Sequence, residues 1–162
     1  MLDFEGPNAA LMKFNSEWLT KLSQLELVEI ASKLTVPQLL ERDMFQKRLK
    51  EGKPIGLHEF LYPLYQGYDS VAMDVDMEIG GQDQTFNMLV GRNLVKIYRQ
   101  KEKFVLTTPL LEGTDGRKMS KSWGNVIDIT DDPNDMYGKT MSIRDELIIK
   151  YFTLCTNISL KA

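Results

Sequence analysis

Between residues 75 and 111 the chain reads strand, glycine turn, helix, strand, and that order constrains the fold more than any other feature. Val75 to Ile79 alternates polar and apolar residues and stops at Gly80-Gly81. Asp83 to Tyr98 carries Phe86, Leu89, Val90, Leu94, Val95 and Tyr98 at helical spacing, which marks one buried face. Lys103 to Leu111 is rich in β-branched and apolar residues, with Pro109 near its end. Two strands joined through a helix must run parallel with a right-handed crossover, a βαβ unit. In such sheets ligands sit beyond the carboxyl ends of the strands. The glycine pair and whatever follows Leu111 should therefore face one crevice.

The flanking segments read as helices. Asn15 or Ser16 can cap a helix beginning at Glu17, with Trp18, Leu19, Leu22, Leu25 and Leu27 at roughly helical spacing. Thr35-Val36-Pro37 signals a second, with Leu39, Leu40, Phe45 and Leu49 on one face and Glu51-Gly52-Lys53-Pro54 ending it. A third, from Gly56 to about Asp69, carries Leu57, Phe60, Leu61, Leu64 and Tyr65, and sets Tyr62, Gln66 and Asp69 on one stripe. Pro133 to Met141 and Arg144 to Thr156 close the chain, with Pro133 in a first-turn position behind Asp132. The fold class is α/β: a partial parallel sheet with a helical N-terminal part and C-terminal helices.

Composition narrows the function classes. The 162 residues can bury one sizeable core, and 43% hydrophobic with 27% charged residues is ordinary for a globular protein. A net charge of −3 argues against a broad basic face for nucleic acid. The single cysteine, Cys155, excludes an intrachain disulfide and a cysteine-cluster metal site, and its apolar helical setting suggests a small buried hydrophobe. No run approaches the roughly 18 apolar residues of a membrane span, and no basic-then-apolar leader opens the chain, so a cytoplasmic location is expected.

The chemistry concentrates in Gly116-Arg117-Lys118-Met119-Ser120-Lys121-Ser122. Two lysines with small hydroxyl residues about them, glycines at 116 and 124, make a mobile cationic loop suited to a polyphosphate. A lysine-serine turn alone is ordinarily a solvated loop. Its weight comes from Gly80-Gly81-Gln82-Asp83-Gln84. Gly81 lets backbone approach a ribose or phosphate closely, the following helix offers free N–H groups to an anion, and Asp83 suits a ribose diol, though it could simply cap the helix. Tyr62, Gln66 and Asp69 could equally be a packed phenol, a surface amide and a helix-ending cap. His58, the one histidine, reads as a core or interface imidazole, and Trp18 and Trp123 as packing residues.

Lys118-Met119-Ser120-Lys121-Ser122, followed by Trp123-Gly124-Asn125, resembles the KMSKS signature of the class I aminoacyl-tRNA synthetases. The glycine-rich turn is similar to that of their tyrosyl and tryptophanyl members. Asn15 to Leu19, Leu57 to Tyr62 and Gln66-Gly67-Tyr68-Asp69 resemble the bacterial tyrosyl enzymes. The likeness runs from about Asn15 to Thr156.

The resemblance implies a Rossmann-like (HUP-type) sheet and a tyrosine–tRNA ligase, activating tyrosine with ATP and passing it to tRNA. By that likeness Tyr62 and Gln66 hold the tyrosine ammonium and Asp69 receives the phenolic hydroxyl. Gln84 lies near the reacting carboxyl, Gly81 and Asp83 contact ribose, and Leu110 and Leu111 wall the adenine. Lys118 and Lys121, with Met119 and Ser120, clamp the pyrophosphate. ATP is a substrate, Mg²⁺ is expected with it, and no residues are assigned to a metal of their own. The family's histidine-containing HIGH motif cannot be built from His58 alone. The expectation is therefore a fragment: a dimerising connective region over 1–54, the second half of the catalytic domain over 55–141, and the start of a helical region over 142–162. Such a piece should not complete catalysis alone, should expose an edge and an apolar sheet face, and should pair as a homodimer through its first three helices. The alternatives are a non-catalytic dimerisation or binding module and, within the class, the tryptophanyl enzyme.

Overall fold

The computed structural model describes residues 2–159. Where the sequence predicts one helix from Glu17, there are two, α1 (Ser16–Leu19) and α2 (Gln24–Ala31). Ser23 Oγ accepts from the Glu26 N–H at 3.2 Å, and Glu26 Oε2 accepts from the Ser23 N–H at 2.7 Å. That reciprocal cap starts a fresh helix in the middle of the apolar spacing. The next predicted helix also divides, into α3 (Val36–Leu40), capped by Thr35 as expected, and α4 (Asp43–Lys50). Arg42 adopts an extended backbone between them and lays its guanidinium 5.1 Å from the Phe45 ring centre and 5.4 Å from that of Phe86.

The third helix opens as a tight 3₁₀ turn, Leu57–Phe60, and continues as α5 (Leu61–Ala72). It runs past Asp69, which lies inside the helix rather than ending it. Termination falls to Asp74, whose φ of 52° is left-handed. Leu57 and His58 are exposed in that 3₁₀ turn, so the expected core imidazole is not found.

Strand β1 is Met77–Gly81, two residues later than expected, and takes both glycines into the strand. The turn falls instead on the 3₁₀ residues Gln82–Gln84. Helix α6 (Thr85–Arg99) leads to β2 (Phe104–Thr108), so Pro109, Leu110 and Leu111 lie beyond the strand. β1 and β2 are hydrogen-bonded neighbours in a small parallel sheet. One side of it, Met77, Ile79, Phe104 and Leu106, is exposed.

The chain divides into two compact units. One takes the residues up to Gly80 together with Gln84–Thr107, and the other takes Gly81–Asp83 and the chain from Thr108. The core of the first is Ile30, Leu64, Val71, Val90, Leu94 and Val95, where α5 packs on α6. A Cβ on Gly67 would lie 2.9 Å from Val90 Cγ1 and 3.0 Å from Leu94 Cδ1, so glycine sets how closely the helices approach.

In the second unit, α7 (Pro133–Met141) begins on Asp132, whose carboxylate accepts from the Asn134 N–H, and α8 is Ile148–Cys155. The Tyr151 hydroxyl donates to the Glu112 carbonyl at 2.6 Å, tying α8 to the segment ahead of the lysine loop. Cys155 is exposed, contrary to expectation, because it sits on the last turn of α8 among open Ile149, Phe152 and Leu154.

Candidate functional site

In the first unit α5 carries Tyr62, Gln66 and Asp69. Gln66 Nε2 donates to Glu78 Oε1 at 3.1 Å, while Gln66 Oε1 accepts from Asn87 Nδ2 at 3.0 Å. The same Asn87 nitrogen donates to Gln84 Oε1 at 3.1 Å, so one amide bridges the two glutamines. Asp69 Oδ1 accepts from the Trp18 indole at 2.7 Å, and Asn15 Nδ2 stands 3.5 Å from Oδ2. Burial pushes the Asp69 carboxyl above its ordinary pKa and Glu78 adds to this, against the lowering by Trp18 and Asn15. Trp18 is thus a hydrogen-bond donor to Asp69 rather than plain packing. Tyr62 is 62% exposed and borders a separate hollow with Arg42, Phe45 and Glu59.

Beneath this amide network lies a cation. Lys103, the residue just ahead of β2, is 2% exposed. Its ammonium donates to Ser70 Oγ at 2.8 Å, to the Met88 carbonyl at 3.3 Å, and in an ion pair to Glu78 Oε2.

The second unit holds Gly81, the last residue of β1, and Asp83 of the following turn with the lysine loop. Lys118 Nζ pairs with Asp83 Oδ2 at 2.7 Å, so these two predicted residues meet. Asp83 does not cap α6: Gln84 holds that position, without a side-chain cap. A Cβ on Gly81 would stand 2.7 Å from Asp83 Oδ1 and 3.1 Å from Leu110 Cδ2, so only glycine lets the three close together. Leu110 and Leu111 are half-buried. Lys121 begins a 3₁₀ turn, Lys121–Trp123, and points outward, with the Asp128 carboxylate 3.7 Å away.

The loop is built rather than loose. Glu112 and Lys118 form an antiparallel bridge, and Gly116 and Gly124 take φ of 81° and 64° at its bends. Asn125, 3% exposed, accepts from the Ser120 N–H at 2.8 Å and donates to Asp115 Oδ1 at 2.8 Å and to the Lys118 carbonyl at 3.2 Å. The Asn125 amide and the Arg117 N–H hold the Asp115 carboxyl well below the usual carboxylate range. Arg117 also lies 4.5 Å from the ring centre of Trp123, which is 54% exposed and so a platform for a cation rather than a packing residue.

The organising residues that sequence reasoning misses are Glu78, Asn87, Lys103 and Asn125. For Lys103 a signal existed, since a lysine opening an otherwise apolar strand asks for a buried partner.

The sequence pattern of the family described as tRNA synthetases class I (W and Y) matches residues 2–162. The chain belongs to that family. It is 53% identical over 156 residues to a tyrosine–tRNA ligase of Carboxydothermus hydrogenoformans, covering 96% of the chain and 38% of the relative. To the tyrosine–tRNA ligase of Thermotoga maritima it is 55% identical over 153 residues, covering 94% of the chain and 38% of the relative. A crystal structure of the tyrosyl-tRNA synthetase of Archaeoglobus fulgidus, complexed with L-tyrosine, matches with a TM-score of 0.57 at 26% identity, over 80% of this chain and 40% of that one. The chain thus spans 38% of the length of each of these two ligases. Within the class I synthetases its sheet is a partial Rossmann-like domain.

Proposed function

We propose that this class I synthetase chain carries amino-acid and ATP contacts of a tyrosine–tRNA ligase. The carrying observation is identity above half, over more than nine-tenths of the chain, with relatives named tyrosine–tRNA ligase. In the reaction a tyrosine carboxylate oxygen attacks the α-phosphorus of ATP, the bond to the bridging β-phosphate oxygen breaks, and pyrophosphate leaves with tyrosyl-adenylate behind. A tRNA ribose hydroxyl then takes the tyrosyl group.

In the first unit, Tyr62 and the acceptor oxygen of Gln66 serve the ammonium, Gln84 serves the carboxyl end, and Asp69 accepts the phenolic hydroxyl. A carboxylate set to take a hydroxyl loses that donor when phenylalanine enters, which is how such a pocket discriminates. In the second unit, Gly81 and Asp83 take the ribose, Leu110 and Leu111 the adenine, and Lys118, Met119, Ser120 and Lys121 the phosphates. Lysine there neutralises charge that grows on the departing pyrophosphate. Mg²⁺ travels on the ATP phosphates, as it commonly does.

With His58 as its one histidine, the chain does not itself supply the family's histidine motif, so it is not expected to complete adenylation unaided. The segment ahead of Pro54 is the proposed homodimer contact. Leu25 at 82% exposure, Val28 at 65% and Val36 at 59% support an apolar surface awaiting cover there. No described helix is long and apolar enough to cross a membrane.

Calorimetric titration of the chain with tyrosine and a non-hydrolysable tyrosyl-adenylate analogue, with phenylalanine and tryptophan as controls, tests the reading. Selective binding of the tyrosyl ligands is expected. A preference for tryptophan, or no binding by a folded chain, overturns it, the latter in favour of a dimerisation module.

A further inference from the structure

We propose that the buried Lys103–Glu78 ion pair positions Gln66, fixing which end of its amide faces a bound amino acid. A glutamine amide presents donors on one side and an acceptor on the other, and only the acceptor can receive an ammonium. In this fold the choice is forced from below. Lys103 pairs with Glu78 Oε2, and the other oxygen of that carboxylate receives Gln66 Nε2 at 3.1 Å. A carboxylate accepts only, so the Gln66 nitrogen must turn to Glu78 and its oxygen must turn away. Asn87 Nδ2 then donates to that oxygen at 3.0 Å and to Gln84 Oε1 at 3.1 Å, carrying the orientation to the second glutamine.

Two further observations mark the lysine as built in. Its side chain is fully buried, so its charge is bearable only because Glu78, Ser70 and the Met88 carbonyl surround it. Helix α6 also keeps a glycine where Lys103 arrives: a Cβ on Gly91 would stand 2.6 Å from Lys103 Nζ and 2.9 Å from Ser70 Oγ. Glycine inside a helix is costly, and here it makes room for the ammonium. An ammonium presented to the Gln66 and Gln84 oxygens meets carbonyl-type acceptors, as the chemistry of an α-amino group requires.

The inference rests on the reading of Gln66 as an amino-acid contact. Its test compares the wild-type chain, Lys103→Met, and the double variant Lys103→Met/Glu78→Gln, each by thermal melting, tyrosine titration and side-chain amide NMR. Lys103→Met strands the Glu78 charge and lowers the melting temperature; the double variant removes both charges and restores it. Tyrosine affinity stays down about tenfold in the double variant, because an amide at position 78 can accept from or donate to Gln66 and no longer dictates its orientation. The Gln66 amide signal, expected to be single and slow-exchanging in the wild type, should then broaden or double. Recovery of tyrosine affinity together with stability, or an unchanged Gln66 signal, overturns the proposal. If the wild type shows the ordered amide but binds no tyrosine, the functional reading fails while the positioning by the ion pair stands.

Discussion

Lys118 and Asp83 hold each other, Nζ to Oδ2 at 2.7 Å, across 35 positions of sequence. Each is paired with a group of the kind ATP would bring: Asp83 with a donor, as a ribose diol would be, and Lys118 with an anion, as a phosphate would be. ATP is therefore expected to divide the pair, giving the carboxylate to the sugar and the ammonium to the phosphates.

Replacing Lys118 or Lys121 with alanine, in a ligase that contains this chain, should slow adenylate formation by on the order of 10²-fold, the usual loss on removing one donor to developing charge. Tyrosine affinity should hardly change. Rapid-quench measurement of adenylate beside equilibrium tyrosine binding checks this, and an equal fall in both would remove the lysines from the leaving phosphate.

Asp69→Ala should weaken tyrosine far more than phenylalanine, since only tyrosine has a hydroxyl for that carboxylate. The same change releases the Trp18 indole, which now donates to Asp69 at 2.7 Å. Competitive titration reads the ratio of the two affinities. A ratio equal to the wild type's would place the phenol elsewhere.

Glu59 should make the junction of α4 with α5 sensitive to acid. Arg48 donates to it at 2.6 and 2.9 Å and the Gly56 N–H at 2.8 Å, which lowers its pKa from 4.5 to about 2. A carboxyl depressed in the folded state contributes stability above its unfolded pKa and loses it as pH falls toward the folded one. The loss should therefore fall between about pH 4.5 and 2, and Glu59→Gln should remove that step from an acid titration followed by circular dichroism. Persistence of the step in the variant would assign it to other carboxylates.

Gly67→Ala pits two effects against each other. Alanine gains up to about 1 kcal/mol in helix propensity. The new Cβ, however, would meet Val90 and Leu94 at 2.9 and 3.0 Å and the Gly91 backbone nitrogen at 3.3 Å, and overpacking typically costs about 1–3 kcal/mol. Backbone cannot yield as a side-chain tip can, so packing should win, with a net loss of roughly 1–2 kcal/mol in denaturant unfolding. A stabilised variant would mean that the helices separate freely.

The βαβ order, the caps at Thr35 and Asp132, helix α7 and the buried face of α6 are all legible along the chain, because caps and periodicity act within a few residues. The lysine loop and the glycine turn are legible too, as a pattern. The Ser23 to Glu26 cap is also written locally, but the apolar spacing runs straight through it and reads as one helix. Other features lie outside any local pattern. Lys103 reaches Ser70 across 33 positions, and Trp18 reaches Asp69 across 51. Asn125, a short step past the loop, becomes its hub only when the chain bends back over Ser120. Burial decides these pairings: a polar atom removed from water must take the partner that packing brings, and packing brings partners from elements that the chain does not list side by side.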